Sequence, residues 1–152
     1  MRYFRLVNDE KNAMPRVINW YPDVNPKKFV RENAGRLPHV ITLDMKLDID
    51  FVYTDVITNP FLLLSKEASG IVHMYDETIP LLCVVLFEKE KGENAVYYMP
   101  LLEEAESGSL MKMDRPIFKM RQGVNGSVIV RMDLAESLLM REATGMTLAE
   151  VF

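Results

Sequence analysis

Sulfur and imidazole chemistry have little to work with in this chain. Of its 152 residues one is cysteine, Cys83, and two are histidine, His39 and His73. A single cysteine excludes an internal disulfide and suits a reducing cytoplasm. One thiol and two imidazoles cannot make a Cys/His zinc site unless carboxylates dominate it. No apolar run approaches the roughly 18–20 residues of a membrane span. The opening MRYFRLVNDEKN carries charges within its apolar stretch and no small-residue cleavage site, so it does not read as a signal peptide. Positive charge is also short. Eighteen Lys and Arg face 22 Asp and Glu, a net charge of −4, which argues against a nucleic-acid binder that relies on phosphate contacts. The catalytic motifs G-x-S-x-G, G-x-x-x-x-G-K-[ST] and G-x-G-x-x-G are all missing. Ser65 and Ser127 have no local partner that would mark a nucleophile, and no cofactor is implied.

What is present describes an ordinary folded protein. Apolar residues make up 49% and charged residues 26%, and the length suits one domain over residues 1–152 with a real hydrophobic core. Eleven methionines read first as adaptable core filling. Residues 3–7 alternate as a first strand, with Tyr3, Arg5 and Val7 on one face and Phe4 and Leu6 on the other. Residues 14–38 form a proline-rich, irregular segment around Trp20-Tyr21. Within it Asn25-Pro26 predicts a capped short helix to Ala34, with Gly35 as its stop.

The cleanest pattern lies at 41–51. Ile41, Leu43, Met45, Leu47, Ile49 and Phe51 alternate with polar residues, which predicts an extended segment with one buried face. A calcium loop from Asp44, Asp48 and Asp50 is rejected, because the required glycine and twelfth-position glutamate are not in register. Ser65 is an N-cap for a helix ending near Tyr75, with Ala68, Ile71, Val72 and Tyr75 as its stripe and His73 on a solvated flank. Residues 81–87 (LLCVVLF) are a continuous apolar strand in which Cys83 is a small buried hydrophobe. They pair with 95–101 across a charged turn. A second hairpin joins 117–121 to 127–132. The closing unit is a strand at 127–132 and a helix at 134–143. That helix is capped by Asp133 with Glu136 in capping-box spacing, buries Leu134, Leu138 and Leu139, and ends at Gly145.

With catalytic groups sparse, surface features are the more informative signal. Trp20 either pins its loop to the protein's own core or, with Tyr21, serves as an aromatic anchor of the kind enriched at interface hot spots. Glu88, Glu90 and Glu93 at the first hairpin, with Glu103, Glu104 and Glu106 beyond its second strand, read either as solvated loops or as an acidic face suited to a basic partner. These eight residues are the predicted contact set.

Four stretches, INWY, FVYTDVITNPFLLLSKEASGIVHMYD, VYYMPLLEE and RMDLAESLLMREATGMTLAEV, together resemble immunity protein family eleven of bacterial polymorphic toxin systems, once catalogued as a domain of unknown function. The resemblance spans nearly the whole chain and carries no catalytic signature. It implies an α+β fold and neutralisation of a toxin made by the same or a neighbouring cell. The expectation is thus a cytoplasmic, single-domain α+β protein with a mixed or largely antiparallel sheet and two to three helices. It would bind a toxin domain and occlude its active site without a cofactor, nucleic acid or membrane. The alternatives are a small enzyme with a site of Asp, Glu, Tyr and Ser residues, and a structural subunit of a homo-oligomer.

Overall fold

The strand-forming stretches sort into two mixed sheets rather than one. The structure, a computed structural model, describes residues 2–11, 15–22, 25–47, 51–106, 114–121 and 127–151. In chain order its strands are β1 (Tyr3–Asn8), β2 (Arg16–Tyr21), β3 (Val40–Lys46), β4 (Val56–Ile57), β5 (Leu63–Leu64), β6 (Leu81–Glu88), β7 (Glu93–Pro100), β8 (Glu104–Ala105), β9 (Ile117–Met120), β10 (Ser127–Arg131) and β11 (Met146–Glu150). Helices α1 (Lys66–Tyr75) and α2 (Met132–Met140) join them, with 3-10 turns at Pro26–Lys28 and Arg31–Arg36. The fold is α+β, as expected. Among the described residues no helix is long and apolar enough to cross a membrane.

The first sheet runs β11-β1-β10-β9-β8 and the second β2-β3-β6-β7-β5-β4. Each is antiparallel except for one pair, β8 with β9 and β3 with β6. Alternation along β1 works as read from the sequence. Phe4 and Leu6 face a core built from α1, α2 and the β4–β5 end of the second sheet, while Tyr3 packs on the opposite face beside Phe118 and Ile129. The β-branched centre of β10 is buried on both sides, Val130 in one cluster and Ile129 in the other.

Helix α1 forms where its cap predicts. The Ser65 hydroxyl accepts the Ala68 N–H at 3.1 Å and donates to Asp55 at 2.9 Å. The other oxygen of Asp55 accepts both the N–H and the hydroxyl of Thr144, so one carboxylate ties the helix start to the loop after α2. Gly145 follows at φ +93°, and a Cβ there would lie 2.2 Å from the Val56 carbonyl oxygen. Only glycine fits that approach.

Helix α2 departs from expectation. It begins at Met132, with Arg131 as its cap residue, so Asp133 lies inside the first turn. The Asp133 carboxylate accepts a fork from Arg131, Nε at 2.8 Å and Nη2 at 2.9 Å, as well as the Leu134 N–H. The hydrogen-bonded guanidinium holds Asp133 below the usual carboxylate range. An aspartate offered a bidentate arginine has a stronger partner than an orphan amide, and the capping box does not form. Glu142, at φ +57°, is the left-handed residue that ends α2. The Ala143 N–H reaches Leu138 O and the Glu142 N–H reaches Leu139 O, the paired closure of a Schellman turn. Leu139 is 53% exposed rather than buried, because the stripe narrows to Leu134, Ala135 and Leu138.

Three further expectations change. Trp20 and Tyr21 lie in a strand, β2, at the edge of the second sheet. The predicted helix after Asn25 is two 3-10 turns, the second running through Gly35 to Arg36, although Asn25 does cap Lys27 N at 3.0 Å. The alternating segment at 41–51 is strand only as far as Lys46, and Asp48, Ile49 and Asp50 lie outside the described residues.

Candidate functional surface

The second sheet has one well-covered face. Ile41, Leu43 and Met45 of β3, Leu82, Val84 and Leu86 of β6, and Tyr97 and Met99 of β7 point into it, each no more than 4% exposed. Two separate segments, one carrying Phe29 and the other Phe61, pack over them. Register places the intervening residues on the other face, where Val40 pairs with Cys83, Thr42 with Val85, and Val85 in turn with Val96. On this side α1 packs near the β5 end, and Leu64, the partner of Tyr98, joins its core. Beyond that point the face is largely apolar and partly open, although Asp44, the partner of Phe87, is 5% exposed and ion-paired with Lys89 at 3.2 Å. Val40 is 49% exposed and Val96 51%, while Leu81, Cys83, Val85 and Phe87 are half-buried by one another. Cys83 is therefore not the core residue the sequence suggests.

The predicted contact residues divide across this architecture. Trp20 sits on the covered side, edge-on to Phe61 at 6.2 Å, and Phe61 is edge-on to Phe29 at 5.3 Å. It pins β2 to the interior. Tyr21, one residue on, pairs with Thr42 and so falls on the open side, 54% exposed. Its hydroxyl accepts a bond from Asn19 Nδ2 at 2.8 Å. Glu88 is buried, and its carboxylate accepts the N–H groups of Glu90 at 3.0 Å and Lys91 at 2.8 Å. It shapes the turn and is unavailable to a partner, whereas Glu90 and Glu93 are exposed at the tip. Glu103 pairs with Arg115, and Glu104 and Glu106 with Arg121. β7, from Glu93 to Pro100, separates the two groups by roughly 25 Å at 3.3 Å per residue. The six glutamates make two patches, and at the tip the exposed Glu90 and Glu93 stand beside Lys89, which pairs with Asp44, and Lys91.

The remaining reactive side chains are tied into structure. His73 Nε2 lies 2.9 Å from the Ile79 carbonyl oxygen, an acceptor only, so this nitrogen donates. Tyr97 donates to Thr54 O at 2.6 Å, and burial pushes its phenol well above the ordinary range. Burial would raise the Asp76 carboxyl too, but bonds from Thr78 and the charges of Arg31 and Arg115 outweigh it and lower the pKa. Among the described residues no three His, Cys, Asp or Glu side chains gather as metal ligands.

A cleft of about 600 Å³ opens elsewhere, between the first sheet and the 3-10 segment. β1 and β10 are paired only through Arg5 and Ile129, while β1 continues along β11 to Asn8. Where the strands part, Leu6 and Val128 border the gap, with Val30, Thr58, Phe61 and Lys119 around it. The sequence signal for the open sheet face was present but ambiguous, since every residue of LLCVVLF is apolar. Lys119 had one faint signal, a charge inside the strand IFKM. No protein-family model matches this chain, and neither does any curated protein.

Proposed function

We propose that this protein works by binding another protein through the open face of its second sheet, and that the partner is a bacterial toxin domain whose active site it covers in the cytoplasm. The observation that carries this reading is the asymmetry of β6, buried at every second residue and partly exposed but equally apolar between. A contiguous bare apolar face is a usual mark of an interaction site. Tyr21 at one margin suits an anchoring role, and Glu90 and Glu93 at the hairpin tip would steer a basic partner toward the face. The immunity role itself rests on the sequence resemblance, and no chemistry is asked of the protein.

The test is titration calorimetry of the full chain with the toxin domain encoded beside it. Val85→Glu and Val96→Glu each place a charge on the open face. A 1:1 complex is expected, with each variant weakening it tenfold or more, about 1.4 kcal/mol. No complex, or affinity unchanged in both variants, would sink the proposal. So would light scattering that finds a dimer which Val85→Glu dissociates, because the face would then belong to a second copy of the chain.

A further inference from the structure

The cleft between the first sheet and the 3-10 segment holds a lysine with unused hydrogen-bonding capacity. Lys119 follows Phe118 in β9, so its side chain takes the opposite face from that buried ring, the face of Leu6 and Val128. Its Nζ donates to the Phe29 carbonyl oxygen at 3.0 Å. An ammonium has three donors, and among the described residues this is its one hydrogen bond. Among the described residues no carboxylate comes within ion-pairing distance either. Glu104 is the register neighbour of Lys119, but its Oε2 is taken by Arg121, from Nε at 3.1 Å and Nη2 at 3.0 Å. Burial draws the Lys119 amine below its ordinary pKa, with Glu104 opposing, as expected for a cation short of a counter-charge.

A second polar group on the same cleft is unmet. Thr58 lines it, and among the described residues its buried hydroxyl oxygen has no hydrogen-bond partner, which is uncommon in folded proteins. The charged residues along the cleft are Arg5, Lys27, Lys119 and Arg121 against Glu32 and Glu104, a local excess of positive charge in a chain of net charge −4. Leu6, Val30, Phe61 and Val128 supply apolar wall, and the volume is that of small-molecule sites.

We propose that this cleft binds a small organic anion, with its carboxylate or phosphate group held by Lys119 and Thr58 and its body against the apolar wall. The inference is independent of the protein-binding face, which lies on the other sheet. It is tested by NMR titration of the ¹⁵N-labelled full chain with benzoate, with inorganic phosphate, and with the neutral control benzamide. Saturable shifts centred on the Thr58, Lys119 and Val128 amides are expected with at least one anion, weakened tenfold or more in Lys119→Met. A response to benzoate alone assigns a carboxylate site, to phosphate alone a phosphate site, and to both a general anion site. Thr58→Val, which removes the hydroxyl at nearly constant shape, gives a second measure if Lys119→Met fails to fold, with a threefold or greater loss expected. No saturable shift with either anion overturns the proposal. So does an equal response to benzamide, or anion affinity unchanged in the folded variants.

Discussion

The two faces of the second sheet are built from the same kind of residue and end in opposite environments. Leu82, Val84 and Leu86 are at most 3% exposed; Cys83, Val85 and Phe87, interleaved with them, are not buried. Hydropathy does not separate these two sets. Coverage does: Phe29 and Phe61 close one face, and on the other α1 stops near β5. The lesson is that an apolar strand states a capacity for burial, and its neighbours decide how much of that capacity is used. The proposed binding rests on the part of that capacity that goes unused.

Stability measurements should break the comparison if it is wrong. Leu86→Ala, on the covered face, is expected to cost about 2–5 kcal/mol in chemical denaturation, a transfer loss plus a cavity. Val85→Ala, one residue away, should cost less than about 1 kcal/mol, because the site is already partly wet. Equal losses would mean that the second face is covered after all. Thiol labelling reads the same contrast as a rate. Cys83 should react with a maleimide in the native protein, while a probe thiol from Val84→Cys, in a Cys83→Ser background, should wait for unfolding.

Smaller effects sharpen the picture. Tyr97 belongs to the covered face, and its phenol is raised by burial. The unfolded chain releases that proton near pH 10, the folded chain only at higher pH. The stability linked to Tyr97 is therefore whole below pH 10 and is lost as pH rises beyond it. Tyr97→Phe should lose about 1 kcal/mol at neutral pH and show a flatter decline in alkaline melting curves. A wild-type decline no steeper than the variant's would remove this account. The smallest stability effect is expected at the hairpin tip. Glu90→Gln with Glu93→Gln should move stability by less than about 0.5 kcal/mol. The pair should still slow association with a basic toxin domain severalfold at low salt, with the difference fading at high salt. A salt-independent rate would exclude steering by the tip.

Much of the framework was legible because it rests on local rules. The alternation of Ile41, Leu43 and Met45, the Ser65 cap with its Ala68, Ile71 and Val72 stripe, and the charged turn between β6 and β7 all depend on neighbours within a few residues. The failures share a cause as well. Asp133 met Arg131 in a geometry that spacing alone does not reveal. Glu88 looked like surface and became the inward anchor of its own turn. Whether Trp20 pins its own segment or anchors a partner was decided by Phe61, 41 positions away in the chain. Leu139 continued an apolar run past the width of the groove that receives α2.

For the contact surface the division is sharper still. Tyr21, Glu90 and Glu93 were visible as exposed aromatic and acidic residues, but the sheet face between them was not. Period two in a strand sets which residues share a side, and that much the amino-acid order determined. Which side meets solvent depended on where Phe29, Phe61 and α1 came to rest. The Lys119 cleft likewise depended on β1 and β10 parting after three pairs. Those are contacts between segments far apart along the chain, and only the tertiary structure decides them, because covering a surface requires a second surface to be brought to it.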